Sequence, residues 1–160
     1  MIIKNYIIIM AFIPFATFAN IEGKVIRVLD GDTVDILKNN QIYRIRLSGI
    51  DAPEKQQPYG QRSRQNLSNL ISQKTIYAVG NKQDRYGRLI ATILYNKNDI
   101  NSLQITSGLA WAYRYKGKAT TPEYVNLEQS ARDKAIGIWS EKNAVEPWRW
   151  RKEKSRQKGD

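Results

Sequence analysis

The chain has 160 residues with no Cys and no His, and its 26 Lys and Arg against 15 Asp and Glu give a formal net charge of +11. These absences exclude disulfides, imidazole or thiolate catalysis and Cys/His zinc sites, so polar chemistry falls to oxygen ligands and guanidinium groups. A field this basic favours polyanions, nucleic acid first and acidic membrane or wall polymers second, although a charge excess also serves merely to solvate a surface.

In chain order, residues 1–19 read as an export signal. Lys4 supplies the positive start, Tyr6 to Phe15 the apolar run, and Thr17-Phe18-Ala19 a small-residue cleavage site before Asn20. The run is shorter than the roughly twenty apolar residues of a spanning helix and is broken by Pro14. A secreted or periplasmic location is expected, with one domain over residues 20–147 and a basic tail over 148–160.

Ile21 to Leu29, Thr33 to Leu37 and Ile42 to Leu47 are short runs rich in β-branched residues, separated by turn-forming segments, and read as a three-strand meander. In the third, Tyr43, Ile45 and Leu47 alternate with Arg44 and Arg46, which puts both arginines on the face opposite the apolar set. Helical spacing of Leu67, Leu70 and Ile71 predicts a helix over Gln61 to Ser72. Strands follow at Thr75 to Val79 and Leu89 to Tyr95. Asp99 is positioned to cap a short helix ending near Gly108, and Thr121-Pro122-Glu123 opens another, with Tyr124, Leu127, Ala131 and Ala135 as its buried stripe and Gly137 as its terminator. Five strands and three helices make an α+β domain.

Three polar segments stand out: Asp30-Gly31-Asp32-Thr33, Arg46 through Asp51-Ala52-Pro53-Glu54, and Asp84-Arg85-Tyr86-Gly87-Arg88. Asp-Gly-Asp is by itself a turn signal, and arginines are most often surface partners of acids. Both acidic segments, however, follow strands, and an Arg-bearing strand directly precedes the second. Asp32, Asp51 and Glu54 would be an unshielded anionic cluster unless a cation or nearby arginine neutralised them. Phosphodiester hydrolysis needs a base to align water, a divalent ion to neutralise phosphate, and planar donors for the charge of the transition state. If the two Asp side chains are committed to metal, Glu54 is the base of the set.

On these segments, together with Gly108-Leu109-Ala110, Ala112 to Lys116 and Gly137-Ile138-Trp139-Ser140-Glu141, the chain resembles the staphylococcal nuclease (thermonuclease) family. The motifs run in family order across nearly all of the mature chain. The resemblance implies a five-stranded OB-type β-barrel with three α-helices and calcium-dependent hydrolysis of DNA and RNA, with little sequence preference and 3′-phosphate ends. By motif position it implies Ca2+ on Asp32, Asp51 and the backbone carbonyl of Ala52, with Asp30 in the outer shell and Glu54 as the residue acting on water. Arg46 and Arg88 would hold the phosphate, and Tyr86 would lie beside a terminal phosphate of the bound nucleotide.

Two departures stand against that pattern. Ala52 occupies a position where the family's type member has Thr, and the loop from Glu54 to Tyr59 is shorter. Trp111, Tyr113 and Tyr115 alternate and would form one aromatic face on a strand, serving either the core or base stacking. The resemblance favours stacking for Tyr113 and Tyr115 and packing for Trp111.

The tail, with six Lys or Arg between Arg149 and Lys158 around Trp150, reads by default as a solvated, disordered end that could also touch the phosphates of long substrates. A monomer suffices for this chemistry. Two other readings compete with an exported nuclease: a non-catalytic OB-type nucleic-acid-binding protein, which leaves the acidic cluster without a purpose, and a basic protein adhering to the anionic envelope, which explains charge but no motif.

Overall fold

The structure is a computed structural model that describes residues 20–157. The expected export signal and the last three residues of the expected tail lie outside the described residues.

The chain opens with β1 (Ile21–Val28), β2 (Thr33–Lys38) and β3 (Gln41–Leu47), an antiparallel meander. After the two-residue β4 (Ile50–Asp51) and helix α1 (Gly60–Ile71), β5 (Thr75–Gln83) pairs with β1, and β6 (Leu89–Tyr95) pairs with β5. Parallel pairing of Ile45, Arg46 and Leu47 with Leu89, Ile90 and Ala91 then joins β6 back to β3 and closes a five-stranded barrel. The period-two pattern fills it. Val25, Val34, Ile36, Ile45, Ile76, Ala78 and Ile93 are fully buried, each Val or Ile contributing about 1.5–3 kcal/mol of burial free energy. β5 runs four residues beyond its predicted end, past a register shift between Val79 and Lys82.

The α1 helix covers one end of the barrel with Leu67 and Ile71 buried. Beyond it come β7 (Asn98–Asp99), α2 (Ile100–Thr106), the short β8 (Trp111–Ala112), β9 (Arg114–Tyr115) and β10 (Lys118–Ala119), and α3 (Glu123–Asp133). Asp99 caps α2 as expected, its carboxylate accepting from the Ser102 amide at 3.1 Å. The stripe expected on α3 is corrected at its end. Ala135 lies beyond the helix, exposed and at φ 51°, while the inward position is taken by Glu128, 2% exposed. That buried carboxylate is satisfied by the Ala112 amide at 2.7 Å and by Arg114 and Arg132. Trp111 packs as expected, edge-on to Trp139 with ring centroids 5.0 Å apart.

The larger difference is a fourth helix, α4 (Pro147–Gln157), where the sequence suggested a solvated end. Pro147 stands at its first position, where a missing N–H costs nothing, and Arg149 and Trp150 donate to the Glu146 carbonyl, both at 3.0 Å. None of the helices among the described residues is long and apolar enough to cross a membrane.

Candidate active site

The turn between β1 and β2 sets the first acidic pair. The Leu29 amide donates to the Thr33 carbonyl at 2.9 Å, and Asp30 Oδ1 accepts from the Asp32 amide at 3.0 Å, so Asp30-Gly31-Asp32 is both a turn and a carboxylate platform. Gly31 is required by close approach: a Cβ there would collide with Ser63 of α1 and with the Ala52 side chain. The buried Asp32 carboxylate accepts from the Thr33 hydroxyl at 3.0 Å and from the Ala52 amide at 2.8 Å, which fixes its rotamer and ties the first acidic segment to the second.

The register of the meander aligns Arg46 with Thr33, one residue from Asp32. From β3 the Arg46 guanidinium donates to the Leu47 carbonyl at 2.9 Å, the Ile50 carbonyl at 3.0 Å and Asp51 Oδ1 at 3.0 Å, and lies 3.2 Å from Asp32 Oδ2. Asp51 is held on β4 by pairing with Trp111 on β8, and its side chain is 1% exposed. Burial, with Asp32 nearby, pushes the Asp30 carboxyl up to about 7. Burial also raises Asp51, even though Arg151 and Arg46 pull the other way.

The Asp84–Arg88 segment is the tip between β5 and β6. Gly87 takes φ 78°, a conformation that favours glycine, and Asp84 gathers the turn by accepting from the Tyr86 and Arg88 amides and from Arg88 Nε at 2.7 Å. Burial works to raise the Asp84 carboxyl, but Arg88 and the two amides outweigh it and hold it below the usual carboxylate range. Asp84 therefore grips the Nε edge of Arg88. The Tyr86 ring, 68% exposed, lies beneath the Arg85 and Arg88 guanidinium groups.

All ten residues singled out in the sequence line one open cavity of about 960 Å³: Asp30, Asp32, Arg46, Asp51, Ala52, Glu54, Tyr86, Arg88, Tyr113 and Tyr115. Glu54 stands on the irregular loop between β4 and α1, with its amide donating to Gln57 Oε1 at 3.1 Å. Tyr113 is half-buried and Tyr115 is 61% exposed at the rim, so both rings can meet a base.

One further lining residue had been read only as part of the basic tail. Arg151, from α4, donates to Asp51 Oδ2 at 2.8 Å, to Asp51 Oδ1 at 3.2 Å and to Glu54 Oε1 at 2.7 Å. The two carboxylates raise its already high pKa, against the opposing effect of burial.

The donor set suits a hard cation. Asp32 and Asp51 carry buried oxygens close enough to share one guanidinium, and the Ala52 carbonyl belongs to the same segment; no hydroxyl is needed from residue 52 for a carbonyl ligand. Among the described residues, no three acidic side chains converge into a metal cage. A calcium ion held by this set would find few protein ligands, and water or a substrate phosphate would have to complete the usual six to eight oxygens around it. A cation there would share the Asp51 carboxylate with Arg46 and Arg151, whose three bonds leave acceptor capacity on its oxygens.

Residues 44–141, which run from within β3 through α1, β5, β6, α2 and α3, match the family model described as staphylococcal nuclease homologue. The chain belongs to the staphylococcal nuclease family. It is 40% identical to Protein ParB of Escherichia coli over 89% of this chain and 86% of that one, and 38% identical to a micrococcal nuclease of Shigella flexneri over 90% and 88%. It is also 40% identical to a protein named as an uncharacterized endonuclease in Haemophilus influenzae, over 81% and 72%. The OB-type barrel is the fold expected of this family; this member adds α4 to the three expected helices.

Proposed function

We propose that the protein is an exported, calcium-dependent nuclease that hydrolyses phosphodiester bonds of DNA and RNA with little sequence preference and leaves 3′-phosphate ends. One observation carries this reading: Arg46 bridges Asp32 and Asp51 by ion pairs at 3.2 and 3.0 Å, and all three line one open cavity with Glu54 and Arg88. Family membership and the endonuclease and nuclease names of its relatives support it.

Within the cleft, Glu54 orients or deprotonates the attacking water; of the set Asp32, Asp51 and Glu54 it is the acid not committed to the metal. Arg46 and Arg88 present planar donors to the phosphate from the β3 wall and the β5–β6 tip, and their fork geometry matches the charge that develops on its oxygens. Calcium, when bound by Asp32, Asp51 and the Ala52 carbonyl, neutralises phosphate charge. Tyr113, half-buried, and Tyr115, exposed, supply ring faces that take any base, which accounts for weak sequence preference, and Tyr86 lies beside a terminal phosphate of the bound nucleotide. The charge of +11 draws the polyanion in.

Incubating the purified protein with plasmid DNA, with calcium or with chelator, tests the reading. Nicking and degradation that chelator abolishes are expected. Retardation of the plasmid without cleavage would establish a binding module instead. Export is tested separately: amino-terminal sequencing of protein recovered from periplasm or medium should begin near Asn20, and an intact Met1 end held in membrane would overturn it.

A further inference from the structure

The loop that carries Glu54 has no regular secondary structure, yet it is tied at three successive points to one stretch of chain some ninety to one hundred residues later. Arg151 bonds the Glu54 carboxylate at 2.7 Å, Lys154 bonds the Gln56 side-chain oxygen, and buried Gln57 donates to the Val145 carbonyl while accepting from the Glu54 amide. From the other side, Gly60 at the start of α1 lies so close to the Glu54 carbonyl that a Cβ would overlap it. The loop is wedged between α1 and α4.

An ion pair between two half-exposed side chains, such as Arg151 at 45% and Glu54 at 41%, is usually worth no more than about 1 kcal/mol. Here the guanidinium is fixed first. Its two nitrogens reach both oxygens of Asp51, whose side chain is 1% exposed, and a forked bond to a buried carboxylate is the strong kind. Glu54 therefore bonds to a group already held in place. The short loop, which has fewer residues of its own to define a position for Glu54, obtains that position from α4.

We infer that Arg151 is a positioning residue for Glu54, and that α4 is a working wall of the active site. Arg151 acts through Glu54 and is not itself a base or a water activator. The inference rests on the proposed nuclease reading for its kinetic consequence, though not for the brace itself.

The test combines kinetics on a short oligonucleotide with amide hydrogen exchange, for native protein, Arg151→Ala, Glu54→Gln and the double variant. Arg151→Ala should lower kcat by about tenfold to a hundredfold, the scale of an ångström-level misplacement, while KM moves less than about threefold. In the Glu54→Gln background the same change should cost less than about threefold, because residues that act as a unit are not additive. Lys134→Ala, which removes an exposed charge elsewhere, should leave kcat unaltered. Exchange at the Glu54 and Gln57 amides should rise at least about tenfold in Arg151→Ala while barrel amides keep their protection. An equal kcat loss with and without Glu54, or a loss carried by KM, would show Arg151 working on substrate and overturn the inference. So would unaltered exchange in the loop. If the native protein cuts no nucleic acid at all, the proposed function fails, and the exchange arm alone decides whether the brace exists.

Discussion

The two walls of the cleft hold their side chains by different means. On the barrel wall, Asp32, Arg46 and Asp51 stand on strands or in a tight turn: Asp32 and Arg46 are fixed by nearby backbone amides or carbonyls, and Asp51 by its strand pairing and by Arg46, with Arg151 added from α4. On the opposite wall Glu54 sits on an irregular loop, and its position depends on side-chain bonds to a helix nearly one hundred residues away. The difference follows from task. Groups that gather charge around a phosphate need rigid, desolvated surroundings, where electrostatic effects are strong. A base must exchange protons with water, and Glu54 is accordingly far more exposed than Asp51.

The strongest way to break this comparison is at Glu54. Glu54→Gln keeps size and removes the basic oxygen, so kcat should fall by roughly a hundredfold or more while affinity for nucleic acid hardly changes. Because the loop wall carries little of the fold, thermal unfolding should stay within a few degrees of native. Wild-type cleavage by this variant would mean that the chemistry resides on the barrel wall alone.

Arginine-to-lysine changes come next. Arg46→Lys and Arg88→Lys should each lose at least about tenfold in kcat, since a point charge cannot replace two planar donors on a phosphate. They should part company in stability. Arg46 also satisfies the Leu47 and Ile50 carbonyls and bridges Asp32 to Asp51, whereas the Arg88 side chain hydrogen-bonds only Asp84 among the described residues. Arg46→Lys should therefore lower the unfolding midpoint in urea more than Arg88→Lys does; equal midpoints would remove the structural half of Arg46's role.

Asp32→Ala addresses the metal more directly. Loss of one carboxylate ligand should raise the calcium concentration needed for half-maximal activity by about tenfold or more, with less effect at saturation. Titration of activity against calcium checks this, and isothermal calorimetry without substrate gives the same comparison free of turnover. An unshifted midpoint would place the cation elsewhere.

How much of this was legible in the sequence divides along the same line. The barrel could be read because strand periodicity is local: Ile45 and Leu47 go inward, Arg44 and Arg46 elsewhere, and five such runs suffice. Most of the residues that line the cavity could be named beforehand because three short motifs carry them. What lay beyond reach was set by long-range contact. α4 is dominated by Lys and Arg with no apolar stripe, so its helicity carries no periodic signal, although Pro147 ahead of Trp-Arg-Trp-Arg was a usable start marker. Arg151 looked like its basic neighbours because its partners, Asp51 and Glu54, lie about one hundred residues earlier. Glu128 escaped for a related reason: a carboxylate on a helix reads as surface until Arg114 and Arg132 are seen to enclose it.

The smallest expected effect lies on the outer face of the barrel wall, where Asp35 of β2 pairs with Arg44 of β3 and Arg27 of β1. Burial works to raise the Asp35 carboxyl, but hydrogen bonds and charge from Arg44 and Arg27 outweigh it and hold it below its ordinary 3.8. A carboxyl depressed on folding contributes stability above its unfolded pKa and loses that contribution as pH falls through the folded one. Both arginines are largely exposed, which limits the contribution to about 1 kcal/mol. Asp35→Asn should thus unfold more easily than native protein at pH 7, and the gap should close as pH falls below about 4. Urea midpoints for the two proteins at pH 7, 5 and 3 measure it. Turnover at neutral pH should be nearly the same in both, since Asp35 does not line the cleft; a gap that persists undiminished at pH 3 would mean that shape rather than charge makes Asp35 useful, and that the outer face of the barrel, like its inner one, is held by packing.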